Sequence, residues 1–328
     1  MLGSYTKILI LGGSGFIGHH LVRRFISEGK QVRVLVRPTS DRFLLRNLPV
    51  EFIEGDLENT HTLKLAVQGC DALVHAAGYY PIYSLRPKSH EQRGIRQIHH
   101  IHAALSQSSI RRFLYISSPT AVGRYPDGRA EDEKAPYPHW RDFSAYCRVK
   151  RAMQQEVLKY AANFDSVVVA PTAVFGEEDP KPTTSRLMLD IAHGRVPVMI
   201  SGRTNAVDVH DVAQGVSRAL ERGKTGRLYV IGGENLSLPA LMQRISRIVN
   251  RKAPMITISP RPLLPLAYFS EIIGKLTKMN APLIPMVGLH FAMVGEFLSS
   301  DVARRELEYT PTRKIDDALV RAFQWLNK

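Results

Sequence analysis

Tyr146 and Lys150 stand four residues apart where a helical stretch begins in this chain of 328 residues. That spacing puts both side chains on one helical face. A cation beside a phenol stabilises the phenolate and lowers its pKa, so the phenol can pass a proton near neutral pH. Upstream, residues 112–117 (Arg-Phe-Leu-Tyr-Ile-Ser) read as a strand that runs into Ser117-Ser118-Pro119-Thr120. Hydroxyls therefore stand at the carboxyl edge of a sheet, and Ser118 joins Tyr146 and Lys150 as the third candidate catalytic residue. A tyrosine and lysine at this spacing are common by chance. Behind a hydroxyl-tipped strand they gain meaning only if the surrounding fold holds a redox cofactor. Cys147, one step round the helix, is expected to point elsewhere.

The elements that would position such a site begin at the N-terminus. Residues 8–11 form an aliphatic run suited to a strand buried on both faces. The run ends in Gly12-Gly13-Ser14-Gly15-Phe16-Ile17-Gly18, and an amphipathic helix follows. Gly12 permits the tight turn, Gly15 lets a diphosphate approach the backbone, and Gly18 lets the helix pack on the strand. The helix N-terminus offers unpaired N–H groups to the anion. Gly12, Ser14, Gly15, Phe16, Ile17 and Gly18 are thus the expected dinucleotide turn. Residues 31–36 read as a second strand that ends at Arg37, where NAD-preferring folds usually carry a carboxylate for the ribose 2′-hydroxyl. A cation there suits a 2′-phosphate, with Arg42 able to close on the same group. NADP is the expected cofactor, with NAD as the alternative. Asp56-Leu57 follow a short third strand, the aspartate placed to bond an adenine amino group. Ala76-Ala77-Gly78 end a fourth strand in small residues that leave room for a cofactor backbone. Strands alternate with helices throughout, so the fold expected is α/β, a doubly wound parallel Rossmann sheet.

Composition excludes several classes. Two cysteines, Cys70 and Cys147, rule out a disulfide framework and fit a reducing compartment. The net charge is +14, but the cations are scattered without interleaved aromatics, so nucleic-acid binding is not expected. No signal peptide precedes the first strand, and a cytoplasmic location, with membrane association as an option, is expected. His90, His99, His100 and His102 have irregular spacing and fall on different helical faces, so no metal is expected.

Taken together, these motifs resemble the extended short-chain dehydrogenase/reductase family, of the NAD-dependent epimerase/dehydratase type. Gly12 to Gly18, Gly55-Asp56-Leu57, His75-Ala76-Ala77-Gly78, Ser117-Ser118, Tyr146 to Lys150, residues 170–176 (Ala-Pro-Thr-Ala-Val-Phe-Gly) and residues 209–213 (Val-His-Asp-Val-Ala) carry the likeness over nearly the whole length. Residues 34–40 and 231–236 narrow it towards dihydroflavonol-reductase-like proteins and hopanoid-associated sugar epimerases. The resemblance implies that Ser118 polarises a substrate oxygen and Tyr146 donates or accepts a proton. It implies that Lys150 lowers the tyrosine pKa and holds the nicotinamide ribose, with Pro171 and Val174 lining the nicotinamide. Two places depart from the family pattern. Residues 91–95 (Glu-Gln-Arg-Gly-Ile) lack its asparagine, and Thr204 stands where sugar epimerases place a diphosphate-gripping arginine, with Arg203 one residue off.

Residues 1–174 are expected to form the nucleotide domain and 175–328 a smaller, mostly helical substrate lobe, with about 203–232 returning to the first. Residues 167–174 read as one strand. Residues 262–298 are nearly uncharged, but their prolines, His290 and Glu296 argue against a membrane span. They are expected to form a helix buried in the substrate lobe, the alternative being an apolar surface that admits a lipid-like substrate or rests on a membrane. A last helix over 316–326 should pack Trp325 inward. The function expected is an NADP-dependent oxidoreductase that reduces a ketone or aldehyde on an apolar small molecule, as monomer or homodimer. A sugar epimerase/dehydratase is the alternative, and a non-catalytic nucleotide-binding structural protein a third reading.

Overall fold

The computed structural model describes residues 5–81, 83–138, 142, 144–182, 184–279, 282–295 and 297–328. Its main sheet has seven parallel strands, β1 (Lys7–Leu11), β2 (Gln31–Val36), β3 (Val50–Glu54), β4 (Ala72–His75), β5 (Arg112–Ile116), β6 (Ser166–Pro171) and, later in the chain, β10 (Leu228–Ile231). Their order is β10-β6-β5-β4-β1-β2-β3. Strand order reverses between β1 and β4, and such a reversal opens a ligand crevice at the carboxyl ends of the strands. The helices here are α1 (Phe16–Ser27), α2 (Thr60–Ala66), α3 (Pro87–Leu105) and α4 (Ala145–Tyr160).

The period of two in β1 assigns its residues to opposite faces. Ile8 and Ile10 join the core with Leu21, Val22 and Phe25 of α1, whereas Leu9 and Leu11 join the core with Ile98 and Ile101 of α3 and Val149 and Met153 of α4. Each wholly buried side chain of this size stabilises by about 1.5–3 kcal/mol relative to exposure. Gly94, three residues after Glu91, which stands where the family asparagine is missing, is the point at which α3 meets α4: a Cβ there would lie 2.9 Å from Met153 Cγ.

The single strand expected over 167–174 is two. The chain leaves the main sheet at Thr172, whose N–H donates to the Ile231 carbonyl (3.1 Å) and whose Oγ1 donates to Asn205 Oδ1 (2.8 Å). It then enters β7 (Ala173–Phe175), part of a three-stranded sheet with β9 (Arg203–Asp208) and β11 (Glu234–Ser237). Between β7 and β9 lie α5 (Arg186–Ala192) and β8 (Met199–Ile200), the latter paired with β12 (Thr257–Ile258). After β9, α6 (Val209–Arg222) returns against α1, and β10 rejoins the main sheet.

The remaining helices are α7 (Leu238–Ile248), α8 (Leu264–Leu276), α9 (Met286–Val294), α10 (Asp301–Leu307) and α11 (Ile315–Leu326). The buried helix expected over 262–298 is instead the pair α8 and α9, and α8 leaves Leu266, Phe269, Ile273 and Leu276 exposed. Its prolines begin helices rather than interrupt one: Pro265 lies in the first turn of α8 and Pro285 caps α9. In α11, Ile315, Ala318, Leu319 and Ala322 face the core. Trp325 stays half-exposed, with the Lys328 ammonium 5.4 Å from its ring centroid.

Candidate active site at the carboxyl edge of the sheet

Three glycines build the turn after β1, each for a separate steric reason. Gly12 has φ +84°, and a Cβ there would lie 2.5 Å from the Ala77 backbone. The turn is thereby pressed against the end of β4, at the crevice. A Cβ on Gly18 would come within 2.1 Å of the Gly12 carbonyl oxygen, so α1 packs directly on the turn. Gly15 differs. It is exposed, and a Cβ there would meet only the Gly12 carbonyl, at 3.3 Å. Its open side faces away from packing, as a backbone approached by a ligand must. No acid stands in the first turn of α1, so its N–H groups are available to an anion. Across the crevice, a Cβ on Gly78 would touch nothing within 4 Å. These features fit a dinucleotide. Ser14, Phe16 and Ile17 line the same turn half-exposed, and Leu57 and Ala76 are half-buried nearby. One Asp56 carboxylate oxygen already accepts from the Glu58 N–H at 2.9 Å.

β5 and α4 supply the acid–base groups. Ser144 caps α4, its side chain accepting from the Cys147 N–H at 3.3 Å, which sets Tyr146 in the first turn. The Tyr146 phenol faces the Ser118 side chain. Ser118 Oγ also lies 2.9 Å from Thr120 Oγ1, while Ser117 is spent on Gln154, donating to its Oε1 at 2.7 Å. Burial pushes the Tyr146 phenol well above the ordinary tyrosine value, and the neighbouring Ser118 side chain opposes that shift. Lys150 does not touch Tyr146 directly. Its ammonium donates to the Ile116 carbonyl at 3.1 Å and reaches Tyr115 Oη at 3.5 Å. Burial brings its pKa down to about 8. Pro171 ends β6 and Val174 is buried in β7, the two places where the chain changes sheets.

The profile of the NAD dependent epimerase/dehydratase family matches residues 8–232. The chain belongs to that family. It is 33% identical over 323 residues to a protein from Synechocystis named as a dihydroflavonol 4-reductase, covering 96% of this chain and 93% of that one. A solved nucleoside-diphosphate-sugar epimerase from Pseudomonas aeruginosa is 26% identical with a TM-score of 0.81, covering 99% of this chain and 98% of its own. The UDP-glucose 4-epimerase of Thermus thermophilus, solved with NAD, shares the fold at 18% identity, TM-score 0.75, covering 98% of this chain and 99% of its own. As a member of the epimerase/dehydratase family, the chain is an NAD(P)-dependent oxidoreductase or epimerase acting on a sugar or a small apolar molecule.

The expectation of NADP is overturned, because the solved relatives of this fold with a named nicotinamide cofactor carry NAD. The structure supplies a physical reason. Arg42, expected to close on a 2′-phosphate, forms an ion pair with Glu54 and lies over the Phe52 ring. Glu54 pairs in register with Val36 at the end of β2, so a carboxylate stands beside the strand that leads to Arg37. Arg37 itself is exposed. A surface cation at this strand end, with a carboxylate on the neighbouring strand, does not by itself select a 2′-phosphate.

Several residues around the candidate site are not announced by the sequence motifs. Gln154 donates to the Ala121 carbonyl at 3.2 Å while accepting from Ser117, and so ties the serine loop to α4. Its signal was present: Tyr146, Lys150 and Gln154 repeat at four-residue spacing on one face. Tyr80 and Phe291 flank the Tyr146 ring, with centroids 4.8 and 5.7 Å away, and no local spacing announces either. Cys147 does point elsewhere, its Sγ lying 2.8 Å from His290 Nε2 in a buried contact that fastens α9 to α4. The histidines of α3 take separate partners: His90 meets Tyr79 Oη, His99 meets Glu156, His100 meets the Leu57 carbonyl, and His102 stacks on Tyr160. A different set, His19, His20 and Glu178, does converge, but Arg23 is ion-paired to that Glu178 carboxylate.

Proposed function

We propose that this protein exchanges hydride at a secondary alcohol carbon of a ring-bearing substrate, with NAD as its cofactor. The observation that carries the reading is the placement of the Tyr146 phenol, in the first turn of α4, against the Ser118 side chain at the carboxyl edge of β5. Bound NAD supplies the hydride acceptor and donor. The chain does the rest. Ser118 holds the substrate oxygen, and Tyr146 takes its proton as the carbonyl forms or returns it as the alcohol re-forms. Lys150, charged below about pH 8, is placed to steady a ribose hydroxyl; burial, not this lysine, sets the Tyr146 phenol's value, so the lowering expected from their spacing is not found. Tyr80 and Phe291 give the reacting carbon aromatic walls.

The family and the solved relatives named as epimerases speak for return of the hydride to the same substrate, the epimerase or dehydratase course, more than for a free-standing reductase. A second reading, a dehydrogenase or reductase of an apolar cyclic molecule, is favoured by Thr204 in place of the diphosphate-gripping arginine and by the dihydroflavonol-reductase-like relative. Isotope tracing separates the courses. The purified protein is expected to release NAD on denaturation. Substrate deuterated at the reacting carbon is expected to give product that keeps its deuterium. Deuterium collecting in free NADH would establish the dehydrogenase course. NADP as the released cofactor would contradict the proposal.

A further inference from the structure

α8 is built inside out. Its buried face carries Ala267, Ser270, Glu271 and Gly274, and its exposed face carries Leu266, Phe269, Ile273 and Leu276. Leu276 is 78% exposed, whereas Glu271 is only 1% exposed and accepts from the Ser84 N–H at 2.8 Å. An aqueous surface selects the opposite arrangement. Leu283, 76% exposed, follows α8 before α9 begins. Between residues 252 and 285 the cations are Lys252, Arg261, Lys275 and Lys278, all exposed, and the acid is the buried Glu271. The outward surface of this segment is therefore apolar and cationic. No described helix is long and apolar enough to cross a membrane.

We propose that α8 docks on an anionic lipid surface, its apolar stripe entering the headgroup boundary and its flanking lysines meeting lipid phosphates. Both ingredients of interfacial binding are present, a buried apolar area and local positive charge. A second copy of this chain would have to bury the same lysines against their like. The position of α8 adds a consequence that rests on the proposed function. α8 packs on the segment that carries Tyr80, through Ser84–Glu271 and through Tyr83 Oη, which donates to the Met279 carbonyl at 2.7 Å. The same buried face packs on α9, which carries Phe291, through Ala267 against Met286 and Leu289. α8 thus lies between the docked face and both aromatic walls of Tyr146, so an amphiphilic substrate would reach the site around its ends from the bilayer.

Vesicle co-sedimentation tests the docking. The full chain is expected to pellet with vesicles of phosphatidylcholine and phosphatidylglycerol at low salt, and far less with phosphatidylcholine alone. Lys275→Glu with Lys278→Glu should lower partitioning by about tenfold or more. Leu266→Ser, Phe269→Ser and Leu276→Ser together should abolish it while leaving NAD affinity and melting unchanged, since the stripe contributes little to the core. Phe269→Trp should be quenched by brominated lipid. Failure of the full chain to pellet with anionic vesicles would overturn the proposal. So would a dimer that the serine variant splits, since that would put a second copy on the stripe. Tyr146→Phe should dock like the parent, so loss of docking and loss of catalysis are read separately.

Discussion

At the residue scale the site is a conflict between burial and charge. Lys150 lies in the interior with its pKa brought down from 10.5 to about 8, so the folded state holds that proton less tightly than the unfolded chain does. Between those values stability rises with pH, and below pH 8 the buried charge costs up to about 3 kcal/mol. Lys150→Met at pH 7 is therefore expected to raise the urea midpoint while NAD affinity falls. A parallel loss of both would mean that the lysine serves mainly to hold the fold. Tyr146, Lys150 and Ser118 were legible because side-chain spacing on one helix and at one strand end is local information. Tyr80 and Phe291 were not, because they reach Tyr146 from segments that lie 66 positions before it and 145 after it. Arg37 shows the opposite failure. Its place along the chain was legible, but the Glu54 carboxylate on the neighbouring strand, which engages Arg42, was visible only once β2 and β3 were paired.

At the scale of elements, the glycine turn separates a packing role from a ligand role. Gly18→Ala sets a Cβ against the Gly12 carbonyl and should cost about 1–3 kcal/mol of stability, with loss of NAD binding. Gly78→Ala meets nothing in the protein, so its melting temperature should match the parent's while NAD affinity drops, as expected if the proposed cofactor fills that open space. Titration calorimetry with NAD and thermal melts on both variants check this, and equal behaviour of the two would contradict the assignment. The strands and helices of the main sheet were legible from aliphatic runs and glycine turns. The break at Thr172 was not, because it is set by hydrogen bonds to Ile231 and Asn205. The inverted α8 was also hidden. Hydrophobic spacing reveals an apolar face but cannot say whether that face turns inward.

For the whole molecule, buried histidines predict a particular acid sensitivity. Burial brings His20 and His75 to about 3 and His102 to about 4, each with further lowering by a neighbouring cation or histidine. As pH falls below 6.5 the unfolded chain binds three protons that the folded chain refuses. The histidines' share of stability is therefore full above pH 6.5 and falls by about 4 kcal/mol per unit towards pH 4. Urea midpoints measured across that range should show the slope, and His75→Asn should flatten it by about a third. A flat profile in the parent would mean that these imidazoles are charged in the fold.

The central claim is that Tyr146 moves the proton while the rest of the site holds the reactants. Its most direct test is single-turnover reduction of bound NAD at 340 nm, in the parent and in Tyr146→Phe, with an alcohol that the parent accepts. The phenylalanine variant should bind NAD as the parent does and lose about 10²–10⁴-fold in rate, the scale of general acid–base catalysis. Turnover at the parent rate would contradict the account.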